Sequence, residues 1–223
     1  MTIVYCSGPL FSPEERAAMA RIAEVLERAG FDTFVPHRDG IEAWVMGSAG
    51  MGVTQIPGVA SGTKLVNKMI FALDTYQILD RCDALVMNLN GRVPDEGAVS
   101  ETAMAYAAGV PLVIYKDDPR STISGTDNAM LLGLTPDFGT IRDIAAIPAE
   151  VARRQAQARG SRFTYTPPPR VARTLRLGKR VWAVLERANR LAIQDRDAQA
   201  VLTELSRLDA ENLAGSGWQS QTE

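Results

Sequence analysis

Short apolar runs alternate with longer amphipathic stretches along the first two thirds of the chain. Residues 2–6 (TIVYC) are apolar and partly β-branched, which is typical of a buried strand. Ser12 and Pro13, followed by two glutamates, predict a helix start, because serine caps the first amides and proline fits the first helical position. That helix is expected to run to Ala29. Residues 31–35 form the second predicted strand.

The same alternation continues toward the middle of the chain. Three further apolar runs predict strands, at residues 84–89, 111–115 and, more weakly, 140–144. The stretches between them predict helices, at residues 63–81, 98–108 and 128–132. Strands that alternate with helices form a parallel sheet with right-handed crossovers. The pattern therefore predicts an α/β fold with a flavodoxin-like five-stranded parallel sheet of order 2-1-3-4-5, whose switch point lies between strands 1 and 3.

Two segments depart from this alternation. Residues 40–62 are rich in Gly and Met without a clear period, so we expect a long loop that serves as a flap over a site. Beyond residue 148 the pattern is helical and is interrupted by three prolines at 167–169. We therefore divide the chain into an α/β domain at residues 1–147 and a helical C-terminal extension at 148–223. The extension is expected to pack on its own domain or on a partner subunit.

The composition limits the possible classes of function. The chain has 223 residues, of which 46% are hydrophobic, and a net charge of -2, so no broad attraction to nucleic acid is expected. Cys6 and Cys82, the only cysteines, lie in or next to apolar runs and are expected to be buried free thiols. No Cys/His cluster predicts a metal site. No signal peptide or membrane span is recognisable, so we expect a cytoplasmic protein.

Two carboxylates follow the third predicted strand. Asp95 lies in the turn and Glu101 about one helical turn further on, at the edge of the sheet where such folds bind ligands. The positive end of the helix dipole favours an ionised glutamate there, and a charged carboxylate in a cleft can act as a nucleophile. The alternative is that Asp95 merely caps the helix while Glu101 is solvated.

Other loops at this predicted edge carry candidate ligand contacts. The switch-point rule brings residues 5–11, after strand 1, opposite the two carboxylates. Gly8 would let the backbone approach a ligand, and Phe11 would either stack on a ring or join the core. After strand 2, a cluster of polar side chains either binds a sugar or base or lies in a solvated loop: His37, Arg38 and Asp39. Asp74, in the middle of a predicted helix, is alternatively an ordinary exposed acid.

Several common site types are absent from the sequence. Strand 1 is not followed by the G-x-G-x-x-G of dinucleotide sites, and no G-x-x-x-x-G-K-[ST] phosphate loop occurs. The G-x-S-x-G of hydrolases is missing, and the single histidine has no evident serine partner. Of the site types considered, the sequence leaves one in which carboxylates act on a small ligand.

The motifs, taken together, resemble those of the nucleoside 2-deoxyribosyltransferases over residues 2–144. VYCSGPLF at residues 4–11 is similar to the family's opening strand and its G-P-L-F turn. The spacing from Asp95 through Gly97 to Glu101 is similar to the signature D-x-G-x-x-x-E, although Ala103 stands where the family commonly has Gly. Two further segments resemble the acid ahead of strand 3 and an N-P-M-like motif: Asp74 after Leu73, and Asn128-Ala129-Met130.

The resemblance implies a covalent mechanism. Glu101 would attack C1′ of a 2′-deoxynucleoside and form a deoxyribosyl-enzyme, from which a second base or water takes the sugar with retention. Asp74 would exchange a proton with the leaving base, and Asp95 would hold a sugar hydroxyl. Tyr5 would orient Glu101 through its phenol.

The resemblance also implies how substrate is held. Asn128 from a neighbouring subunit would bind the 5′-hydroxyl, so a homo-oligomer with shared sites is expected. No metal or organic cofactor is needed, and the partners are nucleosides and nucleobases rather than nucleic acid or membranes. The remaining candidate substrate contacts lie in three segments: Gly8, Pro9, Leu10 and Phe11; His37, Arg38 and Asp39; and Met130.

Two other functions stay open at this point. One is an N-glycosidase that hydrolyses nucleosides or nucleoside 5′-monophosphates, and the other is a nucleoside-binding module without turnover. Related hydrolases of monophosphates carry Ser/Arg-rich loops after strand 1, whereas here no arginine precedes Arg16. That difference favours an unphosphorylated nucleoside.

Overall fold

The chain forms two compact units in a computed structural model. The model describes residues 1–46, 62–91, 93–119, 127–158, 165–191 and 197–215. Unit 1 comprises Met1–His37 and Gln77–Pro167, and unit 2 comprises Arg38–Tyr76 and Pro168–Glu223. The division of the sequence at residues 147 and 148 into a domain and an extension stays a prediction.

Unit 1 is built on a parallel sheet. Its strands are β1 (Ile3–Ser7), β2 (Asp32–Phe34), β3 (Ala84–Asn88) and β4 (Leu112–Tyr115), in the order β2-β1-β3-β4. All three strand pairs are parallel, and every residue of β3 is buried, as expected for a strand that is covered on both faces. The α/β class and the parallel sheet are therefore confirmed.

The predicted fifth strand does not form as a strand. Ile141 makes an isolated parallel bridge to Tyr115, with its amide donating to Ile114 at 2.8 Å. Two residues later the carboxylate of Asp143 accepts the amide of Ala145 at 2.9 Å and begins a 3-10 turn. This local cap turns the chain before a second pair of strand hydrogen bonds can follow. Among the described residues the sheet has four strands, so the five-stranded order 2-1-3-4-5 is not confirmed.

One face of the sheet is covered by two helices. Helix α1 (Pro13–Arg28) begins with a capping box, in which Ser12 and Glu15 satisfy each other's backbone amides. Near the C-terminal end of unit 1, α7 (Ile147–Ala158) packs on the same core. The core cluster joins the sheet to these two helices through Val4, Cys6, Met19, Ile22, Ala23, Leu26, Val35, Ala84, Val86, Val113, Tyr115, Ile147 and Val151. Both cysteines are buried and free, as predicted.

Several other helices between residues 36 and 132 differ in their bounds from the sequence predictions. The segment predicted as one long loop contains α3 (Glu42–Met46), whereas residues 47–61 lie outside the described residues, so the flap is untested. Helix α2 (Pro36–Asp39) precedes it, and α6 (Ala129–Leu132) forms the predicted short helix. The helix expected at residues 63–81 is divided into α4 (Gly62–Tyr76) and a π-helical turn at Gln77–Arg81.

Unit 2 is a helical assembly. Helix α8 (Pro169–Asn189) packs along α4, and α9 (Ala198–Gly215) packs on α8. The α4–α8 contact is close, because a Cβ atom at Gly178 would lie 2.0 Å from the carbonyl oxygen of Ala72. Ion pairs also link these helices, between Lys68 and Asp209 and between Arg180 and Glu211. Within the described ranges, no helix is long and apolar enough to cross a membrane.

Candidate functional site at the carboxyl edge of the sheet

The alternating faces of β1 separate the core from the candidate site. Val4 and Cys6 point into the cluster under α1 and α7. Tyr5 and Ser7 therefore point to the opposite face, since successive strand residues alternate. Helix α5 (Glu96–Ala107), which follows β3, lies on that face and presents Glu101 to both side chains. The site thus lies where β1 and β3 meet, at the switch point of the sheet.

Both oxygens of the Glu101 carboxylate are held by hydroxyl groups of β1. The phenol of Tyr5 donates to Oε1 at 2.8 Å, and the hydroxyl of Ser7 donates to Oε2 at 2.6 Å. Both donor residues are fully buried, with 0% of their surface exposed. The ring of Tyr5 stacks on Phe34 at a centroid distance of 5.4 Å, which fixes the phenol. The carboxylate therefore has a single well-defined orientation.

The ionisation of Glu101 is shifted into the neutral range. Burial raises the pKa of its carboxyl group from 4.5 to about 7, because a charge is poorly solvated there. The hydrogen bonds from Ser7 and Tyr5 oppose this by favouring the charged form, and the negative charge of Asp95 adds to the rise in pKa. The interpretation of Glu101 as a solvated glutamate is therefore wrong.

Asp95 caps helix α5. Its Oδ1 accepts the amide of Ala98 at 2.8 Å, and the backbone is extended, as at other capped helix starts. The alternative interpretation of Asp95 as a helix cap is therefore confirmed. Asp95 is nevertheless close enough to act on the charge of Glu101, so one aspartate both starts the helix and shapes the site's electrostatics.

The turn after β1 is held by packing and by α1. A Cβ atom at Gly8 would lie 2.6 Å from Sδ of Met19 and 2.9 Å from Cβ of Asn88, so glycine is required there by protein packing. The carbonyl of Leu10 accepts from Arg16 at 3.0 Å. Phe11 is 74% exposed, so its interpretation as a core aromatic is wrong. Contact of Phe11, Pro9 or Leu10 with substrate stays a prediction.

The polar cluster after β2 is helical rather than a loop. His37, Arg38 and Asp39 lie in α2, because Pro36 supplies a favourable first helical position. The guanidinium of Arg38 pairs with the adjacent Asp39 at 2.9 Å, and the carbonyl of Asp39 accepts from Asn189 at 3.1 Å. His37 belongs to unit 1, whereas the other two belong to unit 2. Their binding of a sugar or base stays a prediction.

The remaining predicted residues belong to other elements of the fold. Asp74 is buried near the end of α4 in unit 2, so its interpretation as an exposed acid is wrong, and its role in proton transfer stays a prediction. Asn128 caps α6, with Oδ1 accepting the amide of Met130 at 2.8 Å. Met130 is 79% exposed. No cluster of three metal-binding side chains occurs in the part of the chain that the structure describes.

Ser7 is the site residue that sequence reasoning missed. A signal was available, because Ser7 follows Tyr5 by two positions and so shares its face of β1. It is also a polar residue at the end of an otherwise apolar run. The missing information was the identity of the helix that covers this face.

A comparison of the sequence with protein-family models gives a match. A family model described as nucleoside 2-deoxyribosyltransferase matches residues 4–146, which is more than half of the chain. The chain belongs to the nucleoside 2-deoxyribosyltransferase family. Membership supports an enzyme of the nucleoside deoxyribosyltransferase type, with a place in nucleoside metabolism.

Two further comparisons add little. The solved structure titled "Crystal structure of conserved protein from Enterococcus faecalis V583" is 22% identical, with a TM-score of 0.47, and the match covers 69% of this chain and 99% of that one. A search of curated proteins finds no match.

Proposed function

We propose that the protein transfers a 2-deoxyribosyl group between nucleobases by a retaining double displacement, with Glu101 as the nucleophile. The observation that carries the proposal is the pair of hydrogen bonds that fixes both oxygens of this buried carboxylate at the sheet's switch point. A solvated surface glutamate needs no such support, whereas a nucleophile must be held in line with the atom that it attacks.

The first displacement forms an ester. A carboxylate oxygen of Glu101 forms a bond to C1′ while the C1′–N bond to the base breaks, and its electron pair goes to the base nitrogen. On the family resemblance, Asp74 supplies the proton that the departing base takes up. Asp95, on the same ground, binds a sugar hydroxyl and holds the ring in position.

The second displacement releases the product. A ring nitrogen of the incoming base forms a bond to C1′, the ester bond breaks, and its electrons return to Glu101 as a carboxylate. The proton of the incoming base returns to Asp74, which completes the cycle. The two hydroxyl donors orient Glu101 and favour its ionised form before the attack, and they stabilise the carboxylate as it leaves in the second step. Two inversions at C1′ give net retention.

The contribution of a neighbouring copy remains part of the proposal. The exposed position of Met130, two residues after the cap residue Asn128, supports a segment that reaches a second subunit. Asn128 would there bind the 5′-hydroxyl of the substrate. A homo-oligomer in the cytoplasm that acts on free nucleosides and nucleobases, without a cofactor, is the state that we propose.

The test is base exchange by purified protein. Incubation with deoxyinosine and free adenine, followed by chromatography, is expected to give deoxyadenosine and hypoxanthine. Glu101→Gln should abolish both products, whereas Glu96→Gln, an exposed acid on the same helix, should change neither. Hypoxanthine without deoxyadenosine would indicate hydrolysis and contradict transfer. No turnover with any purine or pyrimidine deoxynucleoside would contradict an enzyme and favour a binding module.

A further inference from the structure

We propose that Ser7 is a positioning residue that keeps Glu101 ionised and correctly oriented, through a hydrogen bond from its hydroxyl to Oε2. The consequence of this hydrogen bond for catalysis rests on the proposed function. The effect of the hydrogen bond on the ionisation of Glu101 does not, because that effect can be measured without turnover.

The position of Ser7 is fixed by its strand. It is the last residue of β1, pairs in register with Met87 of β3, and is fully buried. Its separation of 2.6 Å from Oε2 lies within the short range of a hydroxyl that donates to a charged carboxylate, about 2.5–2.7 Å. A side chain with one rotatable bond on a paired strand has little freedom to leave this contact.

The pairing of two donors with two oxygens favours one protonation state. An ionised carboxylate offers acceptors on both oxygens, and the hydroxyls of Tyr5 and Ser7 satisfy one acceptor site on each. A protonated Glu101 would place a hydrogen on one oxygen, so one of the two hydroxyls would have to turn away. The arrangement therefore opposes the effect of burial, which favours the neutral acid.

Of the two donors, Ser7 has the greater influence on ionisation. Its hydrogen bond lowers the pKa of Glu101 more than the bond from Tyr5 does, although burial outweighs both. Tyr5 is additionally anchored by its stack on Phe34, so removal of its hydroxyl leaves the ring in place. Tyr5 therefore mainly orients the carboxylate, and Ser7 is the stronger stabiliser of its negative charge.

Ser7→Ala is a sharp test, since it removes one hydroxyl and retains the Cβ atom. The control is Ser100→Ala on α5, which removes an exposed hydroxyl that donates to the carbonyl of Glu96 at 2.8 Å. Ser7→Thr keeps a donor and serves as the rescue variant. Urea unfolding of each variant establishes that the protein folds before the site is measured.

The direct readout is the titration of Glu101 by NMR, with carboxyl-labelled glutamate and Glu101→Gln to assign the signal. We expect the midpoint in Ser7→Ala to lie about one pH unit higher, which corresponds to a roughly tenfold loss of the ionised form at pH 6 and below. Ser100→Ala should leave the midpoint unchanged, and Ser7→Thr should restore it in large part. An unchanged midpoint in Ser7→Ala would overturn the proposal, whether or not the protein exchanges bases.

Base exchange supplies the second readout. In Ser7→Ala, kcat/KM is expected to fall about tenfold at pH 6 and much less at pH 9, where Glu101 is ionised in either protein. An equal loss at all pH values would show that Ser7 does not keep Glu101 ionised and would contradict the proposal. If no variant exchanges bases while the titration still moves, the role of Ser7 stands and the proposed function fails.

Discussion

The phenol of Tyr5 and the carboxylate of Glu101 are 96 positions apart in the chain and 2.8 Å apart in the fold. The contact joins the first strand to the helix after the third strand, which are neighbours only because β1 and β3 pair. The pairing of β1 with β3 therefore brings the two side chains together. Loss of the β1–β3 pairing would separate Glu101 from both of its hydrogen-bond donors.

Replacement of Tyr5 by phenylalanine should impair catalysis and leave the fold intact. The variant keeps the stack on Phe34 but removes a donor to a charged group, a contribution of about 1.5–3 kcal/mol. We expect kcat/KM for base exchange to fall by about 10- to 100-fold, and the loss of stability in urea to be no larger than this contribution. Tyr106→Phe, at a half-exposed phenol on the outer side of α5, is the matched control. Equal activity of the two variants would show that Tyr5 does not support the nucleophile.

The rate of base exchange should depend on the ionisation of Glu101. Because the pKa of its carboxyl group is about 7 and the proposed nucleophile must be charged, kcat/KM is expected to rise as the pH increases from 5 through 7. Initial rates measured from pH 5 to pH 9 at low substrate concentration provide the profile. An activity that is already maximal at pH 5 would contradict a nucleophile with this pKa.

The free energy of unfolding should also depend on pH through the carboxyl group of Glu101. The pKa of Glu101 is higher in the folded protein, about 7, than its ordinary value of 4.5, so folded chains bind more protons between these values. Stability from this group is therefore full below pH 4.5 and is lost as the pH rises through 7. The unmutated protein should therefore lose stability between pH 5 and pH 9, whereas Glu101→Gln should not. The free energy of unfolding of Glu101→Gln, measured relative to the unmutated protein, should rise by about 2 kcal/mol over this range.

Urea unfolding at the two pH values measures this difference. Glu14→Gln, at an exposed position in the first turn of α1, should show no such pH dependence. If the stability difference between Glu101→Gln and the unmutated protein is the same at pH 5 and pH 9, the carboxyl group is not buried as described.

Elements that are determined by local chemistry could be predicted from the sequence. The capping box at Ser12 and the cap at Asp95 each depend on residues within one helical turn, so both helix starts were predictable. The strand predicted at residues 140–144 does not form, and here too the cause is local. Asp143 turns the chain after one bridge, and a short, partly polar run does not reveal where pairing stops.

The environment of each candidate residue could not be predicted in this way. Asp74 and Glu101 both lie in helices and offer the same carboxylate, and only the packing of the fold shows that Asp74 is buried and that the carboxyl group of Glu101 is poorly solvated. Ser7 was missed because its importance depends on a residue more than 90 positions away. The division of the predicted helix at Gln77 could not be seen in the sequence either, because the apolar pattern continues across it.

The close contact of α4 and α8 predicts an unusual response at Gly178. Alanine is the better helix former by about 1 kcal/mol, yet its Cβ atom would lie 2.0 Å from the carbonyl oxygen of Ala72. We expect Gly178→Ala to destabilise the protein by about 2–3 kcal/mol because the two helices must move apart. Ala183→Gly, at an exposed position of the same helix, should cost only about 1 kcal/mol. Thermal or urea unfolding compares them, and a more stable Gly178→Ala would contradict the packing.

The covalent step through Glu101 is the central claim, and capture of the intermediate tests it most directly. The protein is mixed with a deoxynucleoside, quenched with acid, digested and analysed by mass spectrometry. We predict one deoxyribosyl group on the peptide that contains Glu101, lost when free base is added before the quench and absent in Glu101→Gln. An adduct on Asp95 instead, or exchange of bases by Glu101→Gln at an undiminished rate, would contradict the account.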